Sequence, residues 1–167
     1  RDSLYFCGNS LGIQPRGAMD ALRLEMERWQ ALGVDGHFEG ALPWTQYHKS
    51  LTEPSAHIVG ARPDQVIVMN TLTVNLHLMM VSFYRPTSHR FKIIMEAGAF
   101  PSDQYAVQSQ VKFHGYDPKE AIVEVMPRPG RMTLELEDIL ATIETHGAET
   151  ALVLFGGVNY YTGQLFD

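Results

Sequence analysis

Four short apolar runs punctuate the chain, at Val66-Ile67-Val68-Met69 and at residues 91–95, 122–126 and 151–155. Each is rich in β-branched residues, the pattern of strands buried on both faces. Between the third and fourth, Leu136, Ile139, Leu140 and Ile143 recur at i, i+3, i+4 and i+7, a helical stripe with Thr133 as its candidate N-cap. Earlier, Leu22, Met26 and Trp29 predict an amphipathic helix over residues 17–32, and Gly33 stands where it would stop. Residues 34–44 are rich in glycine, carry His37 and read as a loop. The order βαβαβαβ predicts an α/β fold, a mostly parallel sheet with helices on both faces.

One stretch carries two periods at once. Leu72, Val74, Leu76 and Leu78 alternate with Thr73, Asn75 and His77, which by itself argues for a strand. The apolar character then continues to Tyr84, about fifteen residues against the ~5–6 of a usual strand, so a buried helix is the expectation.

Composition narrows the function classes. The 167 residues, 45% of them hydrophobic, suffice for one core of ordinary size and are short for two domains. Thirteen basic and nineteen acidic side chains leave a net charge of −6, scattered along the chain, so no nucleic-acid face is expected. A single cysteine, Cys7, cannot pair internally and reads as an inert buried thiol; no run is long enough to cross a bilayer, and a cytoplasmic protein is the default expectation. The histidines show no metal-ligand spacing, and no Rossmann, P-loop or GxSxG signature occurs. The chain opens at Arg1-Asp2-Ser3 and stops at Phe166-Asp167 just after a strand-like run, which reads as a fragment.

Two segments at strand ends offer chemistry, where an open α/β sheet places its ligand. If residues 70–73 turn into a helix, its first N–H groups lack internal partners and suit a phosphate, with the Thr71 or Thr73 hydroxyl as a further donor. The simpler reading is that these threonines cap the helix. At Phe100-Pro101-Ser102-Asp103, Pro101 suits a first helical turn, Phe100 could stack on a flat ring, and Asp103 could pair with a polar atom of a ligand. Here the simpler reading is a core phenylalanine beside an ordinary helix start. His37 could reach a ligand or a neighbouring subunit from its loop, or be solvated there; His77 is expected to face inward and be hydrogen-bonded.

Together, Tyr5-Phe6, Gly8-Asn9-Ser10-Leu11-Gly12, Gln14-Pro15, Gly36-His37, Pro43-Trp44, Leu72-Thr73-Val74-Asn75-Leu76-His77, Phe100-Pro101-Ser102-Asp103 and Tyr161-Thr162-Gly163-Gln164 resemble the kynureninases, in this order and spacing over essentially the whole chain. The resemblance implies the fold-type-I, aspartate aminotransferase-like architecture of pyridoxal 5′-phosphate enzymes. It implies hydrolysis of L-kynurenine or its 3-hydroxy form to an anthranilate and L-alanine, in a homodimer. Residues 1–48 would be an N-terminal helix and substrate-side loop segment, and residues 49–167 the first part of the cofactor-binding large domain. Leu72 and Thr73 would contact the phosphate, Phe100 would stack on the pyridine ring, and Pro101, Ser102 and Asp103 would belong to the same pocket. Ser10 and His37 would lie near the substrate. The resemblance also implies a cofactor-contacting serine after the fourth strand, where this chain has Gly156. Lys49, Lys92, Lys112 and Lys119 do not match the family's Schiff-base lysine motif, so the expectation is an N-terminal portion with no catalytic residue of its own and no activity alone. The rivals are another enzyme of the same fold, desulfurase-like or aminotransferase-like, and a non-catalytic truncated interaction protein.

Overall fold

The computed structural model describes residues 3–8 and 10–166; Arg1, Asp2, Asp167 and Asn9, the last in the glycine-rich motif at 8–12, lie outside the described residues. The chain divides into two compact units, Arg1–Met69 and Asn70–Asp167.

In the first unit, α1 (Ala18–Leu32) stops as expected at Gly33, whose positive φ of +53° lets its N–H return to the Trp29 carbonyl. The apolar stripe Leu22, Met26 and Trp29 is exposed, so the helix is amphipathic but nothing in α1 is buried. The stretch expected as a loop begins instead with a 3-10 turn, Gly33–His37, and a second such turn, Trp44–Gln46, follows. The Trp44 ring closes over Gly36, and its indole N–H donates to Glu25 Oε2 at 2.9 Å. Helix α2 (Lys49–Val59) ends at Gly60.

Val66-Ile67-Val68-Met69 is not a strand among the described residues. Its backbone is extended at Val66 (φ −123°, ψ 135°), yet a strand needs a ladder partner, and none of the described residues provides one.

The second unit carries the core. Helix α3 (Leu72–Phe83) leads to β1 (Lys92–Glu96), then α4 (Pro101–Phe113), α5 (Pro118–Ala121), β2 (Ile122–Val125), α6 (Leu136–His146) and β3 (Thr150–Leu154). The strands are parallel in the order β2-β1-β3, the last three of the expected four. From β1 the chain steps to one side through α4 and α5, then crosses back through α6 to the other side. Right-handed crossovers in opposite directions put their helices on opposite faces. Pleating sorts the β1 side chains accordingly. Ile93 and Met95 join Met80 of α3, its C-cap Tyr84, and Val107 and Val111 of α4, whereas Ile94 joins Val125 and Leu134, with Ile139 and Ile143 of α6 against them.

Two expectations need correction here. Residues 72–83 are helical, but α3 is not a buried helix: Met80 is its one buried residue, and Leu72 and Phe83 are well exposed. A period-two apolar pattern wound onto a helix spreads around its circumference and cannot all face one core. The helix expected behind Thr133 begins at Leu136 with Glu135 at its N-cap. The Gln164 side chain holds both the N–H and the carbonyl of Leu134, at 2.8 and 2.7 Å, and so delays the helix.

Candidate functional site

The carboxyl ends of β1 and β3, neighbours in the sheet, are the usual ligand position in such folds. Glu96, residues 97–103 and residues 155–162 line this end of the unit.

Helices α3 and α4 run parallel. His77 Nδ1 lies 2.9 Å from Gln110 Nε2, and at the C-caps of the two helices the Tyr84 ring meets His114 edge-on at 5.3 Å. Their N-termini therefore face the same end, the end where β1 finishes. Asn70, the only non-glycine described residue with a positive φ (+39°), turns the chain into α3, a conformation asparagine tolerates. Thr71 stands at the N-cap but makes no side-chain cap, so the simple capping reading of its hydroxyl is not the one the geometry adopts. The N–H groups of Leu72, Thr73 and Val74 precede the first bond of α3, from the Asn75 N–H to the Thr71 carbonyl at 2.9 Å, and have no intrahelical acceptors. Phe100 is the N-cap of α4, and Pro101, expected in a first helical turn, is its first residue. Asp103 sits in the first turn, where its charge suits the helix dipole, and Ser102 Oγ reaches its Oδ1 at 3.3 Å.

The Phe100 ring is about half exposed, at 48%, and so is not a core phenylalanine. Tyr160 meets it edge-on, with centroids 5.0 Å apart and planes at 82°. Beneath them, Glu96, 7% exposed at the tip of β1, accepts a 2.7 Å hydrogen bond from Asn159 Nδ2. A Cβ on Gly156 would stand 3.3 Å from the Val158 carbonyl oxygen and 3.5 Å from Glu96 Oε1, so a side chain there would be tight against this pair.

Ser10 and His37 belong to the first unit. Ser10 is exposed, with its N–H donating to the Cys7 carbonyl at 2.9 Å. The exposed His37 ring meets Trp44 edge-on at 5.3 Å, while Thr45 Oγ1 donates to its carbonyl. Cys7 is exposed, contrary to the buried thiol expected, because it lies in a surface turn that Tyr5 closes onto the Leu11 carbonyl. His77 is half-buried and bonded to Gln110, as expected. No cluster of metal-ligating side chains occurs among the described residues, and no helix among them is long and apolar enough to cross a membrane.

Perturbed titrations fall outside this end of the sheet. The hydrogen bond from Trp44 holds Glu25 below the usual carboxylate range, and burial pushes the Tyr84 phenol up to about 12. Glu96, Asn159 and Tyr160 were not legible as site residues. The one signal was a carboxylate directly after the apolar run Ile93-Ile94-Met95.

No family model matches the chain. It is 63% identical over 164 residues to a kynureninase of Myxococcus xanthus (strain DK1622), covering 98% of this chain and 38% of that protein. It is 58% identical over 167 residues to the kynureninase of Nematostella vectensis, covering all of this chain and 36% of the relative. A kynureninase of Salinispora tropica (strain ATCC BAA-916 / DSM 44818 / JCM 13857 / NBRC 105044 / CNB-440) is 53% identical over the same length, 39% of its own. The chain thus spans under two fifths of the length of the curated relatives it matches. With the parallel α/β sheet in place and identity of this order from one end to the other, the chain is similar over its whole length to one stretch of the kynureninases.

Proposed function

We propose that this chain builds the phosphate and ring-face half of a pyridoxal 5′-phosphate site in a kynureninase that hydrolyses L-kynurenine, or its 3-hydroxy form, to anthranilate or 3-hydroxyanthranilate and L-alanine. The observation that carries this reading is the whole-length identity to kynureninases, 63% in one case. The donor set also fits the cofactor. Two parallel helices open at one sheet end, α3 without a side-chain cap, and an exposed aromatic ring stands at the start of α4.

In this reading Leu72 and Thr73 hold the phosphate through the start of α3. Phe100 covers one face of the ring and fixes its plane, Pro101 sets the entry into α4, and Ser102 and Asp103 bind polar atoms of the same pocket. Bound there, pyridoxal phosphate would supply an electron sink for the charge left by carbon–carbon cleavage. The residues of this chain bind and orient, which lowers the barrier through positioning. Ser10 and His37 contribute on the substrate side. The Schiff-base lysine comes from sequence other than these residues, so this stretch alone is inactive. The whole protein works as a cytoplasmic homodimer in tryptophan catabolism.

Product analysis tests the reading, using a polypeptide that extends this chain to its relatives' length. Anthranilate and alanine should accumulate from L-kynurenine. Sulfur transfer from cysteine with no turnover of either kynurenine would overturn it in favour of a desulfurase of the same fold.

A further inference from the structure

Glu96 is one of two buried polar residues among those described, and no Lys, Arg or His nitrogen of the described ion pairs reaches it. Its partner is an amide 63 positions away: Asn159 Nδ2 donates to Glu96 Oε2 at 2.7 Å. A buried carboxylate needs such a donor, and the amide gains a charge-assisted bond. The other end of Asn159 shapes a turn. Its Oδ1 accepts from the Tyr161 N–H at 3.0 Å, the Thr162 N–H at 2.9 Å and Thr162 Oγ1 at 3.0 Å. Its backbone N–H donates to the Gln164 carbonyl at 2.8 Å, and its carbonyl accepts from Gly163 N–H at 3.0 Å. One side chain therefore ties the whole 159–164 turn to the tip of β1. Tyr160, the next residue, is the one that sets its edge against Phe100.

We propose that Glu96 and Asn159 form a latch that fixes Tyr160, and through it the Phe100 ring, so that both are positioning residues for the aromatic wall. This rests on the pyridoxal phosphate reading of this end of the sheet. Neither residue needs to touch the ring. Glu96 anchors one end to the sheet, where β1 is hydrogen-bonded on both sides, and Asn159 transmits that rigidity to the loop.

Asn159→Asp isolates the latch. The new carboxylate can still accept from the turn amides, but it replaces the donor and faces Glu96 as a like charge. In the full-length protein this variant should raise the dissociation constant for pyridoxal phosphate about tenfold, the equivalent of one charge-assisted hydrogen bond. The circular dichroism of the bound ring should weaken in parallel. Combining it with Glu96→Gln reverses the polarity of the pair, because the introduced amide can donate to the introduced carboxylate, and should return the affinity to within about twofold of the parent. An unchanged dissociation constant in Asn159→Asp, with a lowered melting temperature alone, would overturn the proposal and leave the pair a stability element. If the parent protein bound no pyridoxal phosphate, the functional reading would fail and the positioning role with it.

Discussion

Gly36 lies under the Trp44 ring so closely that a Cβ built on it would come 2.6 Å from the ring's Cη2. No side-chain rotation of alanine can relieve that overlap, so either the indole or the turn must move. The ring is also held by its bond to Glu25, by the Arg28 guanidinium 5.9 Å over its face and by the edge-on contact with His37. Gly36→Ala should therefore cost about 1–3 kcal/mol of stability, the usual range for overpacking, with a changed tryptophan emission as the local sign. A denaturation curve compared with that of the parent protein checks it. The same contacts explain why Gly36-His37 and Pro43-Trp44 occur as paired signatures: the glycine is the floor for the ring, and the histidine edges it.

At the scale of elements, the second unit is organised by what ties α3 to β1. Tyr84 ends α3, is 1% exposed, and donates from its hydroxyl to the Phe91 carbonyl at 2.7 Å, just before β1 begins. Burial, with Tyr116 nearby, raises its phenol from 10.0 to about 12, so the folded state favours the neutral form. The stability this contributes is present in full below pH 10 and is lost as the pH rises through about 12. Chemical denaturation between pH 8 and 12 should show this alkaline decline, reduced in Tyr84→Phe, which should also lose about 1 kcal/mol at neutral pH with the hydrogen bond. The tie has a functional consequence. It helps hold α3 parallel to α4, and parallel helices are what bring Leu72 and Thr73 to the same end as Phe100.

For the whole molecule, the notable quantity is apolar surface left in water. Leu22, Met26 and Trp29 of α1, and Leu72, Val81 and Phe83 of α3, are all more than half exposed. Surfaces of this kind seek cover. β2 and β3 are the outer strands of the sheet among the described residues, and an unpaired edge invites association. The purified 167-residue chain should bind a hydrophobic dye and self-associate in sedimentation, and extension to the relatives' length should reduce both; a monodisperse, dye-free monomer would contradict this. Much of the architecture was legible in the chain. The runs at 91–95, 122–126 and 151–155 became β1, β2 and β3 to within a residue, since β-branched apolar runs have few other stable fates. Pro101 and Gly33 marked a helix start and stop through constraints that act locally. The run at 66–69 looked no different, yet it is not a strand among the described residues, because a ladder needs a second chain segment that local pattern does not contain. Sequence by itself therefore determined the three strands of the second unit, the sheet class and, through its motifs, the likeness to kynureninases. Tertiary structure alone decided which apolar faces are covered, that α3 lies parallel to α4, and that Glu96 finds Asn159 and Phe100 finds Tyr160, since contacts between distant residues arise only when the chain closes on itself.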